Sequence, residues 1–157
     1  MSLRIGEAAP DFSAHGVDCR VGERRVYRLS DHLGAPVVLV FYPADDTPVC
    51  TEQLRSYTAG IAKLDELATT VFAISPQSVE SHERFSASHG GFGFPMLSDP
   101  DKSIGERYGI LGLLDLYRRS IFVIDSAGDI VYTHRAVGPG LQFVPLESII
   151  AAVATAA

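Results

Sequence analysis

Val37-Val38-Leu39-Val40-Phe41 is a run of apolar residues with no polar break. A strand with one wet face alternates apolar and polar side chains, so an unbroken run reads as a strand buried on both faces. Val71-Phe72-Ala73-Ile74 is a second such run. Between them Leu54, Tyr57, Ile61, Leu64 and Leu67 recur at spacings of three and four, which predicts one helix over residues 49–67 with these side chains on a single face. Strands covered on both faces need helices on each side. The chain is therefore expected to be α/β, a three-layer fold around a central mixed sheet flanked by helices.

The remaining elements follow the same logic. Residues 11–17 and 25–29 read as extended pieces joined by a turn around Arg20-Val21-Gly22-Glu23, and Ser30 to Gly34 as a short turn. A helix is expected over 79–89, ended by Gly90-Gly91. A short strand follows at 95–98, and a short helix at 102–108 closed by Gly109. Ile121 to Ile124 and Ile130 to Thr133 form a hairpin about Asp125-Ser126-Ala127-Gly128-Asp129. A closing helix spans 146–154, with Pro145 suited to its first turn. No internal repeat or low-complexity linker interrupts the chain, and residues 4–157 are expected to form one domain.

Composition removes several function classes. The chain is 46% hydrophobic with a formal net charge of −6, and its only adjacent basic pairs are Arg24-Arg25 and Arg118-Arg119. Nucleic-acid binding needs concentrated positive charge, so no nucleic acid is expected as a partner. No apolar stretch approaches the roughly 20 residues that span a bilayer, and no basic region followed by an apolar core marks a secretory signal. The five histidines lack ligand spacing and there is no CxxC pair, so neither a metal nor another cofactor is expected. His82 and His89, seven apart, read as a solvated helix face. Two cysteines in very different contexts do not make a disulfide framework, and a cytoplasmic location is expected.

One of those cysteines has a distinctive setting. In Phe41-Tyr42-Pro43-Ala44-Asp45-Asp46-Thr47-Pro48-Val49-Cys50 a buried strand runs into a proline-bounded loop, and Cys50 falls in the first turn of the following helix. Unpaired N–H groups and the positive end of the helix dipole favour a thiolate there, which is the reactive form of sulfur. A helix start supplies only about 0.3–1 kcal/mol in an exposed setting, so a cation is needed as well. The bland reading of Cys50 is an inert apolar side chain packed beneath the sheet.

Pro43, Thr47 and Cys50 stand in a Pro-x-x-x-Thr-x-x-Cys arrangement that resembles the peroxiredoxins, the cysteine-dependent peroxidases. The segment from Phe41 to Thr51 looks most like the bacterioferritin co-migratory, or Q-type, subfamily. The resemblance runs from Ala9-Pro10-Asp11-Phe12 to Arg119-Ser120-Ile121-Phe122-Val123-Ile124-Asp125. It implies a thioredoxin-like fold with an N-terminal β-hairpin extension. It also implies a thiol-dependent peroxidase acting on hydrogen peroxide or alkyl hydroperoxides through a cysteine sulfenic acid.

In that reading Cys50 is the nucleophile and Arg119 the cation, its fork holding both the sulfur and a peroxide oxygen. Arg118, its neighbour, points to the opposite face by strand alternation. Thr47 has a hydroxyl to offer a peroxide oxygen, and Pro43, without an N–H, shields the sulfur from water. The backbone N–H groups of Val49 and Cys50 face the oxygen that turns negative as the O–O bond breaks. Gln53 either orients Arg119 or faces solvent. Asp45 and Asp46 read as loop and cap residues pointing outward.

The chain departs from the family at one position. Many Q-type relatives carry a resolving cysteine five residues after the nucleophile, where this chain has Arg55. The remaining Cys19 sits in the N-terminal hairpin and is the alternative resolving thiol, if its Cα comes within about 7 Å of that of Cys50. The expectation is a one-cysteine cycle with an external reductant, either a low-molecular-weight thiol or a thioredoxin-like protein. Two other classes stay open: a redox-sensing module oxidised once at Cys50, and a cysteine hydrolase, for which no histidine is tied to Cys50 by any motif. The apolar connection 109–117 is expected to border the mouth of the site and to form a dimer contact, the alternative being a core-lining turn. Either a monomer or a homodimer is compatible with the sequence.

Overall fold

The computed structural model describes residues 3–136 and 142–156. Its elements in chain order are β1 (Ser13–Asp18), β2 (Glu23–Arg28), β3 (Val37–Phe41), α1 (Pro48–Ala59), α2 (Ile61–Glu66), β4 (Thr70–Ser75), α3 (Val79–Ser88), β5 (Pro95–Ser98), α4 (Ser103–Arg107), β6 (Ser120–Ile124), β7 (Ile130–Arg135) and α5 (Leu146–Ala156). One seven-stranded sheet has the order β2-β1-β5-β4-β3-β6-β7. β3, β4 and β5 are parallel, while β1 pairs antiparallel with β5 and β6 antiparallel with β3. The N-terminal hairpin is thus continuous with the main sheet rather than a separate flap.

Alternation explains the apolar runs. Val38 and Val40 of β3, Val71 and Ala73 of β4, and Ile121 and Val123 of β6 pack in one cluster with Leu54, Tyr57, Leu64, Phe85, Ile149 and Val153 from the helices. Their neighbours Val37, Leu39, Phe41, Phe72, Ile74, Phe122 and Ile124 turn to the other face, onto Ile104, Tyr108 and Ile110. Both faces of the central strands are dry. No helix among the described residues is long and apolar enough to cross a membrane.

The expected single helix over 49–67 is two helices. Gly60 separates them at φ −106° and ψ 8°, and its N–H bonds back to the carbonyl of Tyr57 at 3.2 Å. A β-carbon at Gly60 would lie 2.5 Å from Leu146 Cδ2, so the break lets α5 approach the helix pair closely. The apolar spacing carries across the joint, which is why periodicity alone read one helix. Pro145 stands immediately before α5 rather than inside its first turn.

A second glycine fixes the hairpin against the main sheet. Gly16 of β1 is in register with Leu97 of β5, and a β-carbon there would sit 2.7 Å from the backbone oxygen of Met96 and 2.6 Å from Leu97 Cδ2. Backbone has little room to yield in a paired sheet. Gly16→Ala is therefore expected to cost about 1–3 kcal/mol through overpacking. Urea unfolding measures this, and an unchanged midpoint would show that β1 sits more loosely on β5.

Candidate active site

β3 delivers the chain to Tyr42, which is fully buried, and the loop that follows leads into α1. Thr47 is extended at φ −94° and ψ 149°, as an N-cap residue must be, and Pro48 takes the first helical position, where a missing N–H costs nothing. The first intrahelical backbone bond runs from Thr51 N to the carbonyl of Thr47 at 2.9 Å. The amides of Val49 and Cys50 therefore lie ahead of the helical ladder, at the positive end of the helix. Cys50 itself is 1% exposed and packs with Tyr42, Leu54 and Tyr57.

Arg119 precedes β6 and shares the parity of Ile121 and Val123, so its side chain goes to the face that carries Cys50. Its Nη2 donates to Cys50 Sγ at 3.2 Å and its Nη1 to Gln53 Oε1 at 2.5 Å. Arg119 as a whole is 5% exposed. Arg118, with the opposite parity, is half-buried and donates from Nε to the carbonyl of Ala136 at 3.2 Å.

Gln53, one turn on from Cys50, is fully buried and faces Arg119, not solvent. Its Nε2 donates to the hydroxyl of Tyr57 at 3.2 Å, and that hydroxyl donates to the carbonyl of Val144 at 2.5 Å. Burial in the same cluster pushes the Tyr57 phenol up to about 12, so it stays protonated.

Thr47 and Pro43 lie on the loop between β3 and α1. The Thr47 hydroxyl hydrogen goes to the carbonyl of Ala44 at 3.1 Å, and no side-chain cap bond forms at Thr47. Pro43 and Ala44 line a cleft of about 770 Å³ together with Arg119, Leu113 and Leu116. The connection 109–117 divides in two. Ile110 and Tyr117 are buried at its ends, whereas Leu113 and Leu114 are more than four-fifths exposed at its tip. Gly112, Leu113 and Leu116 of this connection line that cleft, while its ends line the core.

The outward reading of Asp45 does not hold. Its carboxylate is turned inward: Oδ1 accepts from the Tyr42 hydroxyl at 2.6 Å, and Oδ2 accepts from Ser81 Oγ at 2.7 Å and lies 2.7 Å from His82 Nδ1. His82, read as solvated, is fully buried, with Nε2 at 2.9 Å from the carbonyl of Leu97. The Asp45 amide donates to Gln77 Oε1 at 2.9 Å. This network ties the loop carrying Thr47 to α3 and β5. Asp46 does point outward, in the left-handed region at φ 59°. His89 is half-buried and stacks on Phe92, rings 6.1 Å apart.

Burial pushes the Cys19 thiol up to about 11 from 9.0, with the charges of Asp18 and Asp45 acting in the same direction. On the order of one Cys19 in ten thousand is then a thiolate at neutral pH. Arg55 is exposed on α1. Among the described residues no group of three or more His, Cys, Asp or Glu side chains is placed to hold a metal ion.

A family model described as the AhpC/TSA family matches residues 5–133. The chain is 36% identical over 141 residues to the chloroplastic 2-cysteine peroxiredoxin of Chattonella marina var. antiqua, a match covering 85% of this chain and 71% of that protein. It is 30% identical over 144 residues to peroxiredoxin Bcp of Bacillus subtilis, covering 87% of this chain and 88% of that one. Among solved structures, the bacterioferritin comigratory protein of Xanthomonas campestris aligns with a TM-score of 0.74 at 26% identity, over 90% of each chain.

The Asp45–His82 contact has a measurable consequence. His82→Ala removes a buried hydrogen-bonding partner of both Asp45 and the Leu97 carbonyl, and is expected to destabilise the protein by about 1–3 kcal/mol. An exposed histidine would give a change within about 0.5 kcal/mol. Chemical denaturation of the variant distinguishes the two.

Proposed function

The chain belongs to the AhpC/TSA family and is a peroxiredoxin, and from that premise we propose that Cys50 is the peroxidatic nucleophile, served by Arg119, Thr47 and Pro43. The observation that carries the assignment is the 3.2 Å contact from Arg119 Nη2 to Cys50 Sγ, made by a cation that is itself buried. The thiolate of Cys50 attacks the nearer oxygen of a hydroperoxide, and a sulfur–oxygen bond forms as the O–O bond breaks. The leaving oxygen departs as water or an alcohol once protonated. Cys50 is left as a sulfenic acid, oxidised by two electrons.

Each neighbour has a part in that step. Arg119 stays charged when buried, and its fork reaches the sulfur while leaving it placed to meet a peroxide oxygen. The amides of Val49 and Cys50 stand where negative charge develops. Thr47 contributes a hydroxyl, which must turn from the Ala44 carbonyl to donate to the peroxide. Pro43 forms part of the cleft wall beside Arg119. The apolar Leu113 and Leu116 on that wall suit the carbon chain of an alkyl hydroperoxide, and the Xanthomonas relative has alkyl peroxide reduction activity. A second copy covering the exposed leucines at the tip would make the protein a homodimer.

A one-cysteine cycle completes the turnover. Arg55 replaces any partner thiol on α1, and Cys19 is held as a poorly reactive thiol. An external thiol therefore condenses with the sulfenic acid to a mixed disulfide and water, and a second thiol releases reduced Cys50. The reductant is a low-molecular-weight thiol or a thioredoxin-like protein, and a thiol-rich compartment such as the cytoplasm suits it.

Stopped-flow oxidation by hydrogen peroxide tests the assignment. Cys50→Ser is expected to abolish thiol-dependent turnover while Cys19→Ser retains it; the reverse pattern refutes the reading. Arg119→Ala should slow oxidation by about 10²–10³, the cost of losing one positioned donor, and Arg118→Ala by much less. Intact mass tests the cycle. Excess peroxide without thiol should add two oxygens at Cys50, and a Cys19–Cys50 cross-link as the main product would overturn it.

A further inference from the structure

Hydrogen-bond directions behind Arg119 leave no freedom. A guanidinium has only donors, so Gln53 must present its amide oxygen to Nη1, at 2.5 Å. The amide nitrogen then faces Tyr57, whose oxygen accepts at 3.2 Å and whose hydrogen must go elsewhere. It goes to the carbonyl of Val144, at 2.5 Å. Gln53 is fully buried and Tyr57 is 1% exposed, so water does not substitute for any member of this chain. The opposite orientation of the amide would set its N–H groups against those of Arg119.

We propose that Tyr57 is a positioning residue for the peroxidase step: its hydroxyl fixes the orientation of the Gln53 amide, which in turn fixes the Arg119 fork over Cys50. The proposal rests on the thiol-peroxidase reading above. A carboxylate at position 53 would offer an acceptor to Arg119 in either orientation and would need no such control. An amide does need it, because its two ends are opposite in character. The Tyr57 ring is held independently of its hydroxyl, packed edge-on to Phe143 at 5.9 Å, so removing the hydroxyl alone leaves the packing in place.

The test compares Tyr57→Phe in two backgrounds, the native chain and Gln53→Glu, by stopped-flow oxidation with hydrogen peroxide. In the native background Tyr57→Phe is expected to slow oxidation about tenfold, equivalent to about 1.4 kcal/mol of transition-state stabilisation. Alkylation of Cys50 by iodoacetamide, which has no peroxide oxygen for Arg119 to hold, should fall by less than about threefold. In the Gln53→Glu background the same substitution should change oxidation by less than about twofold, because the carboxylate accepts from Arg119 whichever way it turns. Tyr57→Leu is a second hydroxyl-free variant and must show the same contrast between backgrounds. Equal losses in both backgrounds would make Tyr57 a packing residue and overturn the proposal, as would no loss in either. A native chain inert to peroxide, or activity surviving Cys50→Ser, would instead strike the peroxidase reading itself.

Discussion

An arginine buried to 5% exposure has lost most of its hydration, and acceptors supplied by the fold compensate for that loss. For Arg119 these include Cys50 Sγ and Gln53 Oε1, both on α1. The ion does for the sulfur what the sulfur does for the ion. Each supplies the other with a hydrogen-bond partner inside an apolar cluster. The position of α1 over the sheet is thus set by electrostatics as well as packing. Its first turn must bring a cysteine to the end of β6, and its second turn must bring an amide to the same guanidinium.

The sheet makes that meeting possible. β3 and β6 are adjacent and antiparallel, with Phe41 opposite Ser120, so the exit of β3 lies beside the entry of β6. The loop from Pro43 to Thr47 leaves one strand where Arg119 enters the other. The Asp45 carboxylate then fastens the loop from behind through Tyr42, Ser81 and His82. Loops are usually the least restrained part of a fold. This one carries a buried anchor at its centre, which ties it to α3 and β5.

Much of this was legible in the chain. Unbroken apolar runs implied strands dry on both faces, and β3, β4 and β6 alternate between the two clusters as that requires. Parity separated Arg119 from Arg118, because one residue along a strand is one change of face. The Asp45–His82 contact was not legible. It joins residues 37 apart through an interior that only the packed sheet creates, and an aspartate in a Pro- and Thr-containing loop reads locally as a turn residue. The break at Gly60 was hidden for a similar reason: its cause is Leu146 of α5, which no local window contains. Gln53 could be narrowed to two roles, and only the fold chose between them.

The two cysteines show why overall charge is a poor guide to a site. Both belong to the same apolar cluster, Cys50 as a buried member and Cys19 half-buried and packed against it. Burial alone favours the neutral thiol at either place. What differs is the nearest charge. Cys19 has Asp18 beside it in sequence and Asp45 within its field, and both act with burial to hold it protonated. Cys50 has the guanidinium of Arg119 at 3.2 Å and the start of a helix beneath it. A chain with a net charge of −6 still brings a guanidinium to one sulfur, while carboxylates add to the burial that holds the other protonated. In the cycle proposed above, the sulfur hydrogen-bonded to Arg119 is the one that attacks a peroxide, and Cys19, held protonated, does not attack the sulfenic acid that results. In the same proposal a reductant thiolate arriving from outside approaches the charge of Arg119.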